Sequence, residues 1–276
     1  MDDLFGELRE LLHTGVDASR AHEVSALLAL QYELDPQAHR EVWIPYIQGL
    51  KLDWSFPLAT VNALDSLRKW IARAPFARFR MELTTSSPRL VTERLASPLF
   101  RYVCAFHVDG RQYTHRAWTY ARKIASSPSI AHLSSLSLAN IDLGGRNLDM
   151  LVSTPHLTDL RELMIEGGTE DRIELRWLTE SHATPALEHL HVVGGRIDDD
   201  GATALAQTPW LGHITRLTLR DNTISDDGAL ALATSPHLTR LSHLDLTDNP
   251  LTEDGIFEIR RARPDLELVI PSWITF

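Results

Sequence analysis

Three histidines, His189, His191 and His243, are the first residues of this 276-residue chain to invite a chemical reading. Imidazole is a common zinc ligand, and two histidines two places apart on an extended strand share one face at a separation of about 7 Å. That is near the limit for one ion. His243 lies further along, and Arg216 falls between, so a fixed cation would sit in the middle of the set. A pH-sensitive histidine surface is the better functional reading and ordinary solvated histidines the simpler one. No metal and no cofactor is expected.

Other constellations lead no further toward catalysis. Cys104 and His107 are the only Cys–His neighbours, and a separation of three on a strand points them to opposite faces. His22-Glu-Val-Ser-Ala lacks the second histidine of a zinc-protease helix, and neither a phosphate-cradling glycine loop nor a Gly-x-Ser-x-Gly elbow occurs. The acidic groups Asp198-Asp-Asp200, Asp226-Asp227 and Glu253-Asp254 each stand where a helix should open, so helix capping accounts for them better than calcium. The chain is read as a non-enzyme.

The bulk properties bound the partner. The net charge is −10, but residues 66–130 hold 12 Lys/Arg against 3 Asp/Glu. An acidic whole argues against general nucleic-acid affinity, while Arg68, Lys69, Arg73, Arg78, Arg80, Arg89 and Arg94, set among Trp70, Phe76 and Phe79, keep an anionic ligand, nucleic acid or acidic protein, open as one alternative, with a purely structural part in a larger assembly as another. No stretch has the roughly 20 apolar residues that span a bilayer. Met1–Leu12 is acidic and amphipathic, unlike a secretory signal, and the lone Cys104 fits a reducing compartment, so a cytoplasmic, non-membrane protein is expected.

What must position these side chains is a repeat. His213–Gly228 and Arg240–Gly255 align on Leu217 and Leu244, 27 residues apart, each with an Asn (Asn222, Asn249) five places on. The same offset run backwards reaches Leu190, Leu163 and Leu136, and Phe79 and Phe106 repeat it more loosely. Each unit reads as an alternating strand, a turn at the Asn, a refilling apolar residue (Leu143, Ile197, Ile224, Leu251) and a short helix for which Ser225 is a candidate N-cap. Ser97-Pro98, Ser127-Pro128, Thr154-Pro155, Thr208-Pro209 and Ser235-Pro236 should end the helices, with residues 167–183 an irregular unit. Residues 1–75 read as helices that cap the stack, with Asp35-Pro36 starting one, Pro45 interrupting it and Pro57 opening another. Leu266–Ile270 should be a last strand, sealed by Trp273 and Phe276.

The pattern Leu-x-x-Leu-x-Leu-x-x-Asn, kept as Ile214/Leu217/Leu219/Asn222 and Leu241/Leu244/Leu246/Asn249, resembles leucine-rich repeat proteins of the ribonuclease-inhibitor-like, bacterial type. The resemblance covers about residues 76–270, and Ile141, Gly168 and Gly195 replace the Asn in three units. It implies an α/β solenoid over 76–276, with a curved parallel sheet on the concave side and helices on the convex side. It also implies a protein partner held by outward strand residues. Those residues are Glu162, Met164, Glu166, His189, His191, Arg216, Thr218, Arg220, His243 and Asp245, in line with Ala105, Ser137 and Ala139 of earlier units. Arginine is enriched at binding hot spots, which favours Arg216 and Arg220.

Overall fold

The computed structural model describes residues 10–12, 20–49, 57–74, 77–85, 87–110, 118–141, 143, 147–167 and 186–270. They fall into two compact units, one of residues 1–83 and 97–107, the other of residues 84–96 and 108–276. The irregular segment around Trp177 and the proposed Trp273/Phe276 seal lie outside the described residues.

In the first unit, α1 (Ala21–Leu34) buries Val24 and Leu28. The Asp35 carboxylate accepts from the Gln37 and Ala38 N–H groups and starts α2 (Pro36–Ala38), as its place before a proline predicts. Pro45 does not interrupt the helical path. A π-turn (His39–Trp43) leads into α3 (Ile44–Gly49), with the Ile44 N–H reaching back to the His39 carbonyl. The wider turn gives the proline ring room against the preceding coil.

Pro57 opens a strand rather than a helix. In β1 (Pro57–Val61) the proline takes the first strand position, where its missing N–H costs least, and the helix α4 (Leu64–Arg73) follows, burying Leu67. β1 lies parallel to β2 (Arg78–Thr84), with Val61 opposite Met81. That pair is 20 residues apart (81 − 61), so the 27-residue offset passes over it. A 3₁₀ turn (Pro98–Tyr102) then leads into β3 (Val103–Asp109), and Phe100 packs edge-on against Phe106 at 5.1 Å.

The second unit repeats one motif. Its strands are β4 (Ser135–Ala139), β5 (Glu162–Glu166), β6 (His189–Val193), β7 (Arg216–Thr218), β8 (His243–Asp245) and β9 (Glu267–Val269), in chain order and all parallel. Leu136, Leu163, Leu190, Leu217 and Leu244 stand opposite one another in register, and Leu268 continues the row after a shorter unit. All of the first five are at most 3 % exposed. Ile197, Ile224 and Leu251 refill the core beyond each turn, also buried.

The helices are α5 (Pro88–Leu95), α6 (Trp118–Ala125), α7 (Asn147–Val152), α8 (Asp199–Ala206), α9 (Asp226–Ala233) and α10 (Glu253–Ala262). The proline after a helix does more than stop it, since Pro128 and Pro209 each open a 3₁₀ turn leading to the next strand. The hydroxyl residue ahead of the proline ties the helix end down. Thr154 Oγ1 donates to the Ala125 carbonyl at 2.6 Å, and Ser235 Oγ to that of Ala206. Ser225 occupies the N-cap position of α9 but makes no side-chain cap bond. Its N–H and hydroxyl instead donate to the two Asp199 oxygens at 2.8 and 2.7 Å, and Thr252 binds Asp226 in the same way at 2.9 and 2.5 Å. The acidic clusters therefore link one unit to the next.

Candidate functional site

The strand face is set by what happens where each strand ends. Asn140, Gly167, Gly194, Asp221 and Asp248 all have φ between 53° and 68° and recur every 27 residues. Gly, Asn and Asp are the residues that tolerate this left-handed conformation. The N–H of each of the first four donates across to the next unit, Asn140 to Glu166, Gly167 to Val193, Gly194 to Arg220 and Asp221 to Thr247. Behind them sit the buried asparagines. Asn222 accepts from the Ile197 N–H and donates to the Val192 and Arg220 carbonyls. Asn249 accepts from Ile224 and donates to Leu219, Leu246 and Thr247. Where Ile141 and Gly195 take the Asn slot, the left-handed residue before them still turns the chain.

With the turns fixed, alternate side chains of the strands form rows. One row is Ser135, Glu162, His189, Arg216, His243 and Glu267, and the next is Ser137, Met164, His191, Thr218 and Asp245. The ten residues picked from the sequence thus lie on one face of one sheet, with Glu166 and Arg220 at its far edge. Their freedom differs. Arg216 is exposed and has no ion-pair partner among the described residues, whereas Arg220 Nε donates to Asp248 Oδ2 at 3.2 Å. Asp245 Oδ1 is taken by the N–H and hydroxyl of Thr247 at 2.9 and 2.6 Å. His243 Nδ1 stands 3.1 Å from Glu267 Oε2 without hydrogen-bond geometry. Ser137 and Ala139 are buried and offer no surface, and Ala105 is buried within the first unit.

His189, Arg216 and His243 stand opposite one another on β6, β7 and β8, so the arginine lies between the histidines as the sequence suggests. His189 and His191 are neighbours, their rings edge-on at 6.4 Å, but the third group beside them is Glu162 and not His243. Glu162 is directly opposite His189 across the β5–β6 pair. Its sequence signal was the 27-residue offset itself, which places residue 162 beside residue 189. Burial lowers the pKa of His191 from its ordinary value; Glu162 and Glu166 raise it, and His189 and Arg216 lower it further. The folded chain thus holds His191 neutral more firmly than the unfolded chain does. Stability is full above the unfolded value of about 6.5 and is lost as pH falls below it. In chelator-treated protein, the urea midpoint should drop as the pH falls below about 6.5, and His191→Asn should remove part of that drop.

The other constellations find structural employment. Cys104 is buried on β3. In the first unit, Arg73 pairs with Glu33 at 3.3 Å and lies over the Tyr32 and Trp70 rings, Arg68 approaches Asp65, Arg78 donates to the Arg101 carbonyl and Phe79 is buried. In the second, Arg89 pairs with Glu93 at 2.9 Å. The basic stretch is divided between the two units, and Phe76 lies outside the described residues. No helix among the described residues is long and apolar enough to cross a membrane.

A family model described as Leucine Rich repeat matches residues 185–206, 213–233 and 234–259. No curated protein matches the chain. Among solved structures, the chain is similar to a Bacteroides fragilis protein at 14% identity and TM-score 0.48, covering 76% of this chain and 69% of that one. It is similar to a leucine-rich repeat protein of Leptospira interrogans at 16% identity and TM-score 0.40, covering 68% of this chain and 46% of that one. It is also similar to an internalin of Listeria monocytogenes at 12% identity and TM-score 0.40, covering 79% and 59% respectively.

Proposed function

This chain carries leucine-rich repeats, and from that premise we propose that it is a non-enzymatic interaction module holding a protein partner on the outward face of β5 to β8. The observation behind this reading is the pair of in-register rows, where exposed or half-buried Glu162, Met164, His189, His191, Arg216 and Thr218 adjoin on rigid strands. Side chains fixed on a sheet lose little entropy on binding, and a mixed face of one cation, one thioether and several polar groups suits a partner with both carboxylates and apolar side chains. Arg216 is the chief anchor, because it is exposed and has no ion-pair partner among the described residues, while Arg220 must first leave Asp248. The 27-residue strand–turn–helix unit supports the ribonuclease-inhibitor-like subtype. Residues 1–75 remain proposed as the cap of the stack.

The test is affinity capture with the wild type and an Arg216→Glu/Arg220→Glu variant at low and at about 0.3 M salt, paired with a photo-cross-linking residue at Thr218. A protein that the wild type retains, the variant loses by tenfold or more, and Thr218 cross-links would support the reading. Retention of one species by both proteins, or of nucleic acid that salt releases, would move the site to residues 66–130 and end the strand-face assignment.

A further inference from the structure

Beyond the partner reading, and independent of it, we propose that Glu162, His189 and His191 form a binding site for a single divalent transition-metal ion of the kind exemplified by Zn²⁺. One ligand atom from each of the three lies within 4.8 Å of the other two, and Glu162 Oε1 is 3.7 Å from His191 Nε2. Ligand atoms bound to zinc at about 2.0–2.2 Å stand about 3.3–3.5 Å apart, so side-chain rotations of about 1 Å close the set. Two imidazole nitrogens and one carboxylate oxygen are a donor set that zinc and its neighbours in the first transition row take, and that calcium and magnesium do not prefer.

Two further observations point to a ligand. His191 Nε2 is shut off from solvent and has no hydrogen-bond partner among the described residues, a costly state that a metal bond would remedy. Ser135 Oγ donates to Glu162 Oε2 at 2.8 Å, which holds one carboxylate oxygen and leaves Oε1 turned to the histidines. Outer contacts of this type fix a ligand's orientation, and their loss costs about 10–100-fold in metal affinity. All three ligands stand on β5 and β6, whose register is unbroken from Glu162↔His189 to Glu166↔Val193.

The charges that face the site are Glu162 and Glu166 from β5, His189 from β6 and Arg216 from β7. Arg216 opposes a cation, but its side chain is exposed and the two carboxylates offset it. Three protein ligands leave the remaining positions open on the outward side, to be filled by water or by a carboxylate of another molecule.

The test is calorimetric titration of the untagged, chelator-treated full chain with ZnCl₂, with the melting temperature followed in parallel. The wild type should take one equivalent and melt higher with zinc. His189→Ala/His191→Ala should lose that equivalent, and Ser135→Ala should weaken it by about tenfold. Arg216→Ala should tighten it. Glu162→Gln, which keeps an acceptor for Ser135, should weaken it by tenfold or more and serves as the test if the double variant does not fold. A wild type that takes no zinc, or a double or Glu162→Gln variant that binds it unchanged, overturns the site. Since no partner is present in the titration, its failure leaves the interaction reading untouched.

Discussion

Asn249→Ala is expected to lower the unfolding free energy by about 4 kcal/mol or more, at roughly 1 kcal/mol or more for each backbone group left without its bond. The side chain is 4 % exposed and serves four such groups, the Ile224 N–H and the Leu219, Leu246 and Thr247 carbonyls. Two of the four, at Ile224 and Leu219, belong to the preceding unit, so the loss is felt on both sides of the turn. A urea titration followed by circular dichroism measures it. A change below about 1 kcal/mol would mean that water reaches these groups and that the asparagine does not hold the turn.

Gly255→Ala is the second large effect. A Cβ at Gly255 would come 2.0 Å from Asp226 Cγ, closer than any real contact. Asp226 would have to leave Thr252, whose N–H and hydroxyl it accepts, or α9 and α10 would have to separate. A cost of about 2–4 kcal/mol is expected, in the range of overpacking combined with a lost cap. Asp226→Ala alone removes only the link to Thr252. In the double variant the added methyl meets no carboxylate, so the penalty should fall short of the sum by about 1–2 kcal/mol. Strict additivity would show that the carboxylate is not what crowds Gly255, since the Cβ of residue 226, 2.6 Å from the added methyl, stays in the double variant.

These two residues show how far the sequence could be read. Leu136 to Leu244 recur without a break, and a regular spacing of apolar residues translates directly into strand register, so the second unit was legible before any coordinates. The strand at Pro57–Val61 was not, because its partner lies 20 residues on (81 − 61) and proline is a start signal for helix and strand alike. Ser225 has the residue type of a cap, but its side chain makes no cap bond and its hydroxyl donates to Asp199, whereas Thr252 both donates to Asp226 and accepts from the Gly255 N–H. The left-handed column was open to view as Asn140, Gly167, Gly194, Asp221 and Asp248, yet three residue types share one role there and no single letter repeats. The 27-residue offset sets Glu162 in line with His189 as an outward strand residue, but it does not show that their ligand atoms and that of His191 come within 4.8 Å of one another, which depends on side-chain geometry.

The bonds between units carry one further consequence. The Asn222 unit takes from the strand before it what the Asn249 unit takes from the Asn222 strand, and Ser225 and Thr252 bind their preceding aspartates identically. Plug and socket therefore have the same form at both joints. A second copy of one 27-residue segment spliced in here would meet familiar neighbours at each end, while a residue added or removed between a strand and its asparagine would turn that asparagine to the wrong carbonyl. The stretch from strand to asparagine is thus fixed in length, and the helical side, where the last unit is already shorter, is where the repeat can vary.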